Sequence, residues 1–369
     1  MRVEALHVSA FTVPTDCPES DGTFEWDRTT LVLAEAEAGG VRSLGYTYAN
    51  AATAALIDEA LRPVVVGCDV MDTPAVWSAM VRAIRNLGRP GICSMAIAAV
   101  DSALWDLKAR LLDVPLAKLL GMVREGVPAY GSGGFTSYSL SQLASQLRGW
   151  VEEGMTAVKM KVGTHPEDDL QRVMAARKAI GESARLYVDA NGAYSRKQAL
   201  EMAKRFADAG VSWFEEPVSS DDLEGLRLIR DEAPPGMHIA AGEYGYDLAY
   251  FQRMLEAGAV DVLQADATRC AGITEFVRAG ALAAARNIHF SAHTAPAMHT
   301  HACCPVPAAW NIEYFHDHAR IEHMLFAGAP KPINGVLSPN PELPGMGLEF
   351  KRSDAAPYQV YATPLKGGR

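Results

Sequence analysis

The sequence predicts an α/β protein built around a closed barrel of eight parallel β-strands, with a smaller α+β domain attached. From about residue 127 onward, short apolar runs alternate with helical segments, and the pattern repeats every roughly 25–30 residues. Repeated βα units of this length form either a closed barrel or an open, doubly wound sheet. The repeat supplies eight strand candidates, and that number favours the barrel.

The eight predicted strands are short apolar runs, which are typical of parallel strands buried on both faces. In chain order they are VPAYGS, AVKMKV, RLYVDAN, WFEEP, HIAAGE, DVLQAD, IHFSAH and WNIEYF. The segments between them have the periodicity of helices, for example LSQLASQLRGWVEEG after the first strand and DDLQRVMAARKAIG after the second. The segment after the seventh strand, around Met298 to Val306, is shorter.

The two ends of the chain follow another pattern. Residues 1–60 predict an antiparallel meander, and the helical text ICSMAIAAVDSALWDLKARLL comes after it. The tail from about Lys331 contains proline, glycine and short strands. We therefore predict an α+β domain over residues 1–125, the barrel over residues 126–330, and a C-terminal segment, residues 331–369, that returns to the first domain.

Composition and charge argue against several classes of function. The chain has 369 residues, of which 49% are hydrophobic and 21% charged, as in ordinary soluble globular proteins. The formal net charge of −10 argues against binding to nucleic acid or to an anionic membrane. The six cysteines lack the spacing of a zinc site, and neither a signal peptide nor a membrane helix is indicated. We expect a cytoplasmic location with reduced cysteines.

Three acidic residues end consecutive predicted strands: Asp189 in LYVDAN, Glu215 in SWFEEP and Glu243 in IAAGE. A carboxylate at the end of a buried strand has no role in packing. In a barrel the carboxyl ends of the strands meet at one mouth, so the three side chains are expected to converge. Carboxylate oxygens suit a hard cation, and we predict one Mg²⁺ per site.

The remaining predicted strands also end in polar or ionisable side chains. They are Ser132, the pair Lys159 and Lys161, Asn191 after Asp189, Asp266, His293 and Glu313. The two lysines are two positions apart and share one face of their strand. Asp266 and His293 come from adjacent strands, where a carboxylate orients an imidazole and raises its basicity. A cation between an amine and a His–Asp dyad suits abstraction of a proton next to a carboxylate.

Each of these residues alone also has a structural explanation. A single strand-end lysine is most often a surface residue, and Asp189 in DANG fits ordinary turn chemistry. Glu216 is turned away from Glu215 by strand alternation, so we expect it to be structural. His299 and His301, in the short segment after the seventh strand, are also expected to be structural.

In its motifs the sequence resembles the enolase superfamily, and within it the mandelate racemase subgroup. The motifs are AVKMKVG, VDANGAY, WFEEPV, AAGE, the pairing of Asp266 with His293, and Glu313 in WNIEYF. The helical text AAVDSALWDLKAR is also typical of the superfamily. The resemblance covers essentially the whole chain. It implies a modified (β/α)₇β TIM barrel, an α+β capping domain built from the N-terminus and the C-terminal tail, and Mg²⁺-assisted removal of a proton α to a carboxylate.

The resemblance also implies roles for individual residues. Asp189, Glu215 and Glu243 would be the metal ligands. Lys161 would be the base on one face of the substrate, with its pKa lowered by Lys159, which would also contact the substrate carboxylate. On the other face the acid or base would be His293, oriented by Asp266. Glu313, as a protonated acid, and Ser132 would bind the carboxylate.

Two outcomes share this catalytic set. Loss of a β-hydroxyl gives dehydration to a 2-keto-3-deoxy acid, whereas reprotonation from the opposite face gives racemisation or epimerisation. The segment VPTDCPESDGTFEWDRTT is expected to form a loop over the mouth, with Phe24 and Trp26 as stacking walls of the substrate site. Its polar residues favour a sugar acid, an aldonate or aldarate, since buried hydroxyl groups need partners.

Dehydration of a sugar acid is therefore the first hypothesis, and a racemase or epimerase of 2-hydroxy acids is the alternative. Cycloisomerisation is disfavoured, because cycloisomerases of this family usually carry a lysine where Asp266 stands. A non-catalytic binding protein is a remote alternative, since no catalytic position is missing. The expected partners are a small carboxylate substrate and further copies of the chain, in a dimer or octamer, as is common among these barrels.

Overall fold

The computed structural model of the chain describes residues 1–363. The N-terminal region begins with a long antiparallel pair, β1 (Ala5–Ser20) and β2 (Glu25–Ala38), followed by β3 (Val41–Arg42) and β4 (Gly45–Tyr48). Helical segments follow: α1 (Ala52–Leu56), a π-helical turn (Ile57–Leu61), α2 (Arg62–Val65), a 3₁₀ turn (Val70–Asp72), α3 (Thr73–Ala83), α4 (Ile92–Leu111) and α5 (Leu116–Leu119).

The central region alternates strands and helices. In chain order these are β5 (Val127–Gly133), α6 (Leu140–Glu152), β6 (Ala157–Lys161), α7 (Pro166–Ile180), β7 (Arg185–Asp189), α8 (Arg196–Asp208), β8 (Val211–Glu215), α9 (Leu223–Glu232), β9 (His238–Ala241), α10 (Leu248–Glu256), β10 (Val262–Ala265), α11 (Ile273–Ala285), β11 (His289–Ala292), α12 (Pro296–Ala302), β12 (Ala309–Phe315) and α13 (His316–Leu325). Neighbouring strands pair in parallel from β5 to β12, and β12 pairs with β5, so the barrel is closed.

The C-terminal region contributes short elements to both parts. They are β13 (Phe326–Ala327), β14 (Val336–Leu337), β15 (Glu349–Phe350), α14 (Arg352–Ala355), a 3₁₀ turn (Ala356–Tyr358) and β16 (Gln359–Ala362). Strand β14 pairs antiparallel with β5, and β16 pairs antiparallel with β1. The sheet of the capping domain therefore has the order β16-β1-β2-β3, with β4 also on β2. The predicted fold class is confirmed, while the boundaries at residues 125 and 330 stay a prediction.

Alternation along the barrel strands places an aromatic floor beneath the mouth. Tyr130, Tyr187, Trp213 and Trp310 meet inside the barrel, with Tyr187 and Trp213 stacked at 5.0 Å between ring centroids. Successive side chains on a strand point to opposite faces, so the residue two positions after Tyr130, Tyr187 or Trp213 also points into the barrel and lies nearer its mouth. The positions selected in this way include Ser132, Asp189 and Glu215.

The capping domain is fixed over the C-terminal ends of the barrel strands by buried polar contacts. The Tyr46 hydroxyl donates to Glu322 at 2.6 Å, and the Thr47 hydroxyl donates to the carbonyl of Thr268 at 2.7 Å. Asp101 on α4 accepts hydrogen bonds from the backbone and hydroxyl of Thr274. Such bonds join the two parts at the mouth. Among residues 1–363, each helix is too short or too polar to cross a membrane.

Candidate active site

A hairpin tip, not a loop, covers one side of the barrel mouth. The expected loop is formed largely by the ends of β1 and β2, where Glu19 pairs with Trp26 and Ser20 with Glu25. We call residues 19–26 the lid hairpin. Its turn is closed by Asp21, whose carboxylate accepts from the backbone of Thr23 and Phe24. The predicted loop is therefore corrected: these polar residues form an Asx-type turn between paired strands.

The three predicted metal ligands lie together. One carboxylate oxygen from each of Asp189, Glu215 and Glu243 falls within 4.8 Å of the others, and all three side chains are buried. Asp189 lies opposite Glu215 in the register of β7 and β8, and Glu243 follows the end of β9. The local fold thus brings acids from three consecutive strands to one point.

The donor set fits a hard divalent cation. Burial and the neighbouring Asp189 raise the pKa of Glu215 well above its usual value, since like charges are crowded there. Glu243 Oε2 is buried and has no hydrogen-bond partner among residues 1–363, although His293 Nε2 lies 3.3 Å away. An orphaned oxygen among three carboxylates is what an oxygen-binding ion would satisfy, and Mg²⁺ prefers such ligands.

Two buried lysines on β6 reach into the same cluster. Lys159 Nζ lies 2.6 Å from Glu215 and 2.8 Å from Glu313, and Lys161 Nζ lies 2.5 Å from Asp189. Burial lowers the pKa of Lys161, Asp189 raises it and Lys159 lowers it, with a net pKa above the ordinary value. The ion pair with Asp189 outweighs repulsion by Lys159 in this arrangement, and the lowered pKa expected of Lys161 stays a prediction for the site with its cation bound.

A histidine and a carboxylate face each other across the cluster from the lysines. His293 Nδ1 lies 2.9 Å from Asp266 Oδ2, and Asp266 Oδ1 accepts from both the amide and the hydroxyl of Thr268 at 2.7 Å. Burial raises the pKa of Asp266, but the hydrogen bond and charge of His293 hold it well below its usual value. Asp266 is therefore an ionised, fixed acceptor that orients the His293 ring.

Glu313 joins the two sides of the site. It accepts from the Ser132 hydroxyl at 2.5 Å and from the backbone of Thr294 at 3.1 Å, and it pairs with Lys159. Burial raises the pKa of Glu313, but Lys159 and His293 lower it to well below its usual value. Lys159 thus favours the carboxylate form of Glu313, and its action as a protonated acid towards a bound substrate stays a prediction. Ser132 is buried and contacts Glu313.

Three of the predicted substrate-contact residues, Phe24, Trp26 and Asn191, line a cavity of about 560 Å³ at the mouth. The other three, Ser132, Lys159 and Glu313, are buried and do not line it. Asn191 donates its backbone N–H to Asp189 and has a left-handed φ of 46°. The rings of Phe24 and Trp26 stack at 6.2 Å between centroids, and Trp26 Nε1 donates to Glu19 at 2.7 Å. Phe24 is 66% exposed, so its ring is free to contact a ligand.

The structure adds site residues that the sequence reasoning missed. Arg269 lies 3.3 Å from Glu243 and 3.8 Å from Asp266, and it lines the cavity. Arg269 could have been found from the sequence, because it lies three residues after the candidate site residue Asp266. Arg28 and Tyr48, from the capping sheet, also line the cavity. Arg28 lies in the segment predicted to cover the mouth but was not singled out, whereas Tyr48 reaches the mouth only through the docking of the two domains.

Two family profiles match the chain, one over the capping domain with the lid hairpin and one over most of the barrel with the carboxylate cluster. The profile for the mandelate racemase / muconate lactonizing enzyme N-terminal domain matches residues 8–121, and the enolase C-terminal domain-like profile matches residues 142–355. The chain belongs to the mandelate racemase / muconate lactonizing enzyme family. The enolase-superfamily assignment made from its motifs is thereby confirmed.

Among curated proteins, this family member is similar to enzymes that act on sugar acids and their cyclic forms. It is 29% identical to D-galactarolactone cycloisomerase of Agrobacterium fabrum (98% of this chain and 99% of the relative). It is 32% identical to 3,6-anhydro-alpha-L-galactonate cycloisomerase of Streptomyces coelicolor (95% and 98%). It is 30% identical to L-talarate/galactarate dehydratase of Salmonella typhimurium (85% and 81%). Cycloisomerases, which were disfavoured from the sequence, are thus among the similar proteins.

Solved structures of family members superpose closely on the chain. A mandelate racemase/muconate lactonizing enzyme-like protein from Rubrobacter xylanophilus is 56% identical, with a TM-score of 0.96 and coverage of 98% of this chain and 100% of that chain. A racemase from Streptomyces coelicolor with bound magnesium is 30% identical, with a TM-score of 0.91 and coverage of 97% and 100%. L-talarate/galactarate dehydratase with Mg and L-lyxarohydroxamate is 27% identical, with a TM-score of 0.89 and coverage of 98% and 94%.

Proposed function

We propose that this family member is a Mg²⁺-dependent dehydratase that converts a sugar acid, an aldonate or aldarate, to a 2-keto-3-deoxy acid. One observation carries the proposal: two acid/base groups flank one carboxylate cluster. Lys161, on β6, has its Nζ 2.5 Å from a carboxylate oxygen of Asp189. His293, just after β11, has its Nε2 3.3 Å from a carboxylate oxygen of Glu243. A substrate carboxylate held at the cluster would place its α-carbon between the amine and the imidazole.

The metal would be held by Asp189, Glu215 and Glu243, which supply only oxygen donors. When bound, Mg²⁺ supplies charge stabilisation to the substrate carboxylate as its α-proton leaves. The same acids are buried in the mouth beside two lysines, so the site excludes bulk water and strengthens electrostatic interactions.

The chain's own residues would carry out the proton transfers. Lys161 would take the α-proton as the free amine, the form expected once Asp189 holds the cation and no longer pairs with the lysine, and the C–H electron pair forms the enediolate. Lys159 lies beside the cluster and would stabilise the negative charge on the carboxylate. His293, protonated and held by Asp266, gives a proton to the β-hydroxyl, so that the C–O bond breaks and water leaves. The resulting enol takes a proton at C3 and releases the proton of its C2 hydroxyl to become the 2-keto-3-deoxy acid.

The cavity lining supports a polyhydroxy substrate. Polar side chains from the lid hairpin and the capping sheet face it, and they are Thr23, Arg28, Thr30 and Asn50. Hydroxyl groups buried by a lid need such partners. Phe24 and Trp26 would form an apolar wall against the carbon chain. The similarity to L-talarate/galactarate dehydratase supports the same substrate class.

Two other reactions share the first step. Reprotonation of the enediolate by the opposite group gives a racemase or epimerase, which the similarity to the Streptomyces coelicolor racemase favours. Expulsion of a ring oxygen in place of a hydroxyl gives a cycloisomerase, which the similarity to two curated cycloisomerases favours. The complete set of acids, lysines and dyad argues against a non-catalytic role. Assembly into a dimer or octamer stays a prediction.

The purified full chain with Mg²⁺ would be incubated with a set of aldonates and aldarates, and semicarbazide would be used to detect 2-keto-3-deoxy products. A Mg²⁺-dependent product from at least one acid is expected. The double variant K161A/H293A would serve as the inactive control, and K204A, an exposed position on α8, as the matched lysine control. Deuterium incorporation at the α-carbon without a keto product would instead assign racemisation, and a product from a sugar lactone alone would assign cycloisomerisation.

A further inference from the structure

His299 is a fully buried histidine that makes two hydrogen bonds near the site without contacting the cavity. It lies on α12, and its ring packs 5.0 Å from Phe276 between centroids. Nε2 lies 2.9 Å from the backbone nitrogen of Ala267, and Nδ1 lies 2.7 Å from the carbonyl oxygen of Thr294. Both ring nitrogens are therefore used.

The partners of His299 determine its tautomer. The amide of Ala267 can only donate, so Nε2 must be without hydrogen and accept. The carbonyl of Thr294 can only accept, so Nδ1 must carry the hydrogen. Burial lowers the pKa of His299, with Asp266 opposing it, in agreement with a neutral ring. The ring is thus a fixed connector with one donor and one acceptor.

The two hydrogen bonds of His299 are made to the residues that directly follow the two members of the His293–Asp266 dyad. Ala267 follows Asp266, and Thr294 follows His293. Thr294 has a left-handed φ of 51°, a strained conformation for a β-branched residue. Its carbonyl is held by His299 and its amide by Glu313 at 3.1 Å. The backbone that aims His293 is therefore held from both sides.

We propose that His299 is a positioning residue for the dyad: its neutral ring joins the loop after β10 to the loop after β11 and sets the orientation of His293 towards Asp266. This inference rests on the proposed function for its catalytic consequence. It also predicts selectivity, because Lys161 stands on β6 and no hydrogen bond connects it to His299 within residues 1–363. Loss of His299 should weaken proton transfer on the His293 face and leave the Lys161 face intact.

The first measurement needs no turnover. Full-length protein with ¹⁵N-labelled histidine and saturating Mg²⁺ would be studied by long-range ¹H–¹⁵N NMR. The expected spectrum shows His299 neutral and protonated at Nδ1. In H299F, which removes both bonds, the His293 ring signals should shift. In H301F they should not, because His301 on the same helix bonds Met346 instead. A cationic His299, or unchanged His293 signals in H299F, would overturn the inference.

The second measurement separates the two faces. Galactarate and L-talarate are epimers at C2, so they present the α-proton on opposite faces, and their exchange in D₂O would be followed by ¹H NMR. H299F should slow exchange of one epimer by about 10–100-fold and change the other less than about threefold. H299Q, which keeps an acceptor and a donor, should recover part of the loss. An equal loss for both epimers would overturn the inference.

The two proposals fail in different ways. If the wild type exchanges neither epimer while H299F still shifts the His293 signals and H301F does not, positioning by His299 stands and the proposed substrate class fails. If the wild type exchanges both epimers and H299F exchanges both at the wild-type rates, the proposed proton abstraction stands and His299 has no positioning role.

Discussion

Gly22, at the tip of the lid hairpin, lies directly against the backbone of Ala190, which follows the metal-ligand candidate Asp189. A Cβ at Gly22 would sit 2.4 Å from the Ala190 carbonyl oxygen and 2.6 Å from that of Val162. Contacts this short do not occur in folded proteins, so glycine is needed for the approach of backbone to backbone. The lid is thus seated on the ends of the two strands that carry Lys161 and Asp189.

The first prediction concerns this contact. G22A should lift the lid hairpin from the barrel and lower kcat/KM by about 10–100-fold, because small displacements of a positioned substrate are costly. Hydrogen-exchange mass spectrometry of residues 16–30 should show faster exchange in the variant. G149A is the matched control, since an added Cβ there meets no atom within 4 Å. If G22A showed the hydrogen exchange and the activity of the wild type, the close contact between the lid hairpin and the barrel would not be needed.

Metal binding gives the second prediction. Glu243 has a buried oxygen without a hydrogen-bond partner in the described part of the chain, so E243Q should lose a ligand without losing much packing. For the wild type, Mg²⁺ at 100 times its Kd should stabilise the fold by about 2.7 kcal/mol. E243Q should show little of this increase in differential scanning fluorimetry, and calorimetric titration should give weaker affinity. E201Q, on the exposed face of α8, is the control; equal Mg²⁺ responses would contradict the ligand assignment.

The third prediction follows from the fixed carboxylate of Asp266. Its Oδ1 accepts from the amide of Thr268, so in D266N the side-chain carbonyl must stay there and the new NH₂ group faces His293 Nδ1. Nδ1 then has to accept, and neutral His293 carries its proton on Nε2, which is the wrong tautomer for a base. Exchange on the His293 face should fall by about 10²–10⁴-fold, while the Lys161 face is nearly unchanged.

The measurement for D266N is α-proton exchange in D₂O with the two C2-epimeric hexarates. D261N provides the control, because Asp261 stands at the other end of the same strand and pairs with Arg230. An equal loss on both faces would show that the dyad and Lys161 do not act independently.

Local patterns predicted the barrel and its strand-end residues well. Apolar runs and strand alternation are local properties, and they place Asp189, Glu215 and His293 at one mouth. The contacts between charged groups were predicted less well. Lys159 and Glu313 lie 2.8 Å apart but are distant in sequence, so no local pattern marks their pairing. The lid hairpin itself pairs locally, but its polar residues do not show strand alternation, and its seating on Ala190 depends on residues distant in sequence.

A buried carboxyl group in the lid hairpin gives the last prediction. Glu19 is 1% exposed, and Trp26 Nε1 donates to one of its oxygens at 2.7 Å. Burial and the nearby Asp317 raise its pKa to about 9, with Asp16 adding to this and Arg320 opposing it. The folded protein therefore holds a proton on Glu19 that the unfolded chain releases near its ordinary pKa. Between pH 4.5 and about 9 the folded state binds more protons, so stability from this group declines as the pH rises.

E19Q should remove this dependence, because glutamine keeps an oxygen acceptor for Trp26 and carries no titrating group. Its free energy of unfolding relative to wild type should rise between pH 5 and pH 8 by on the order of 2 kcal/mol. Urea denaturation at both pH values measures the difference, and E25Q, an exposed neighbour on β2, should show none. If E19Q follows the wild-type pH dependence, Glu19 is ionised in the folded protein. The lid hairpin then holds a buried negative charge.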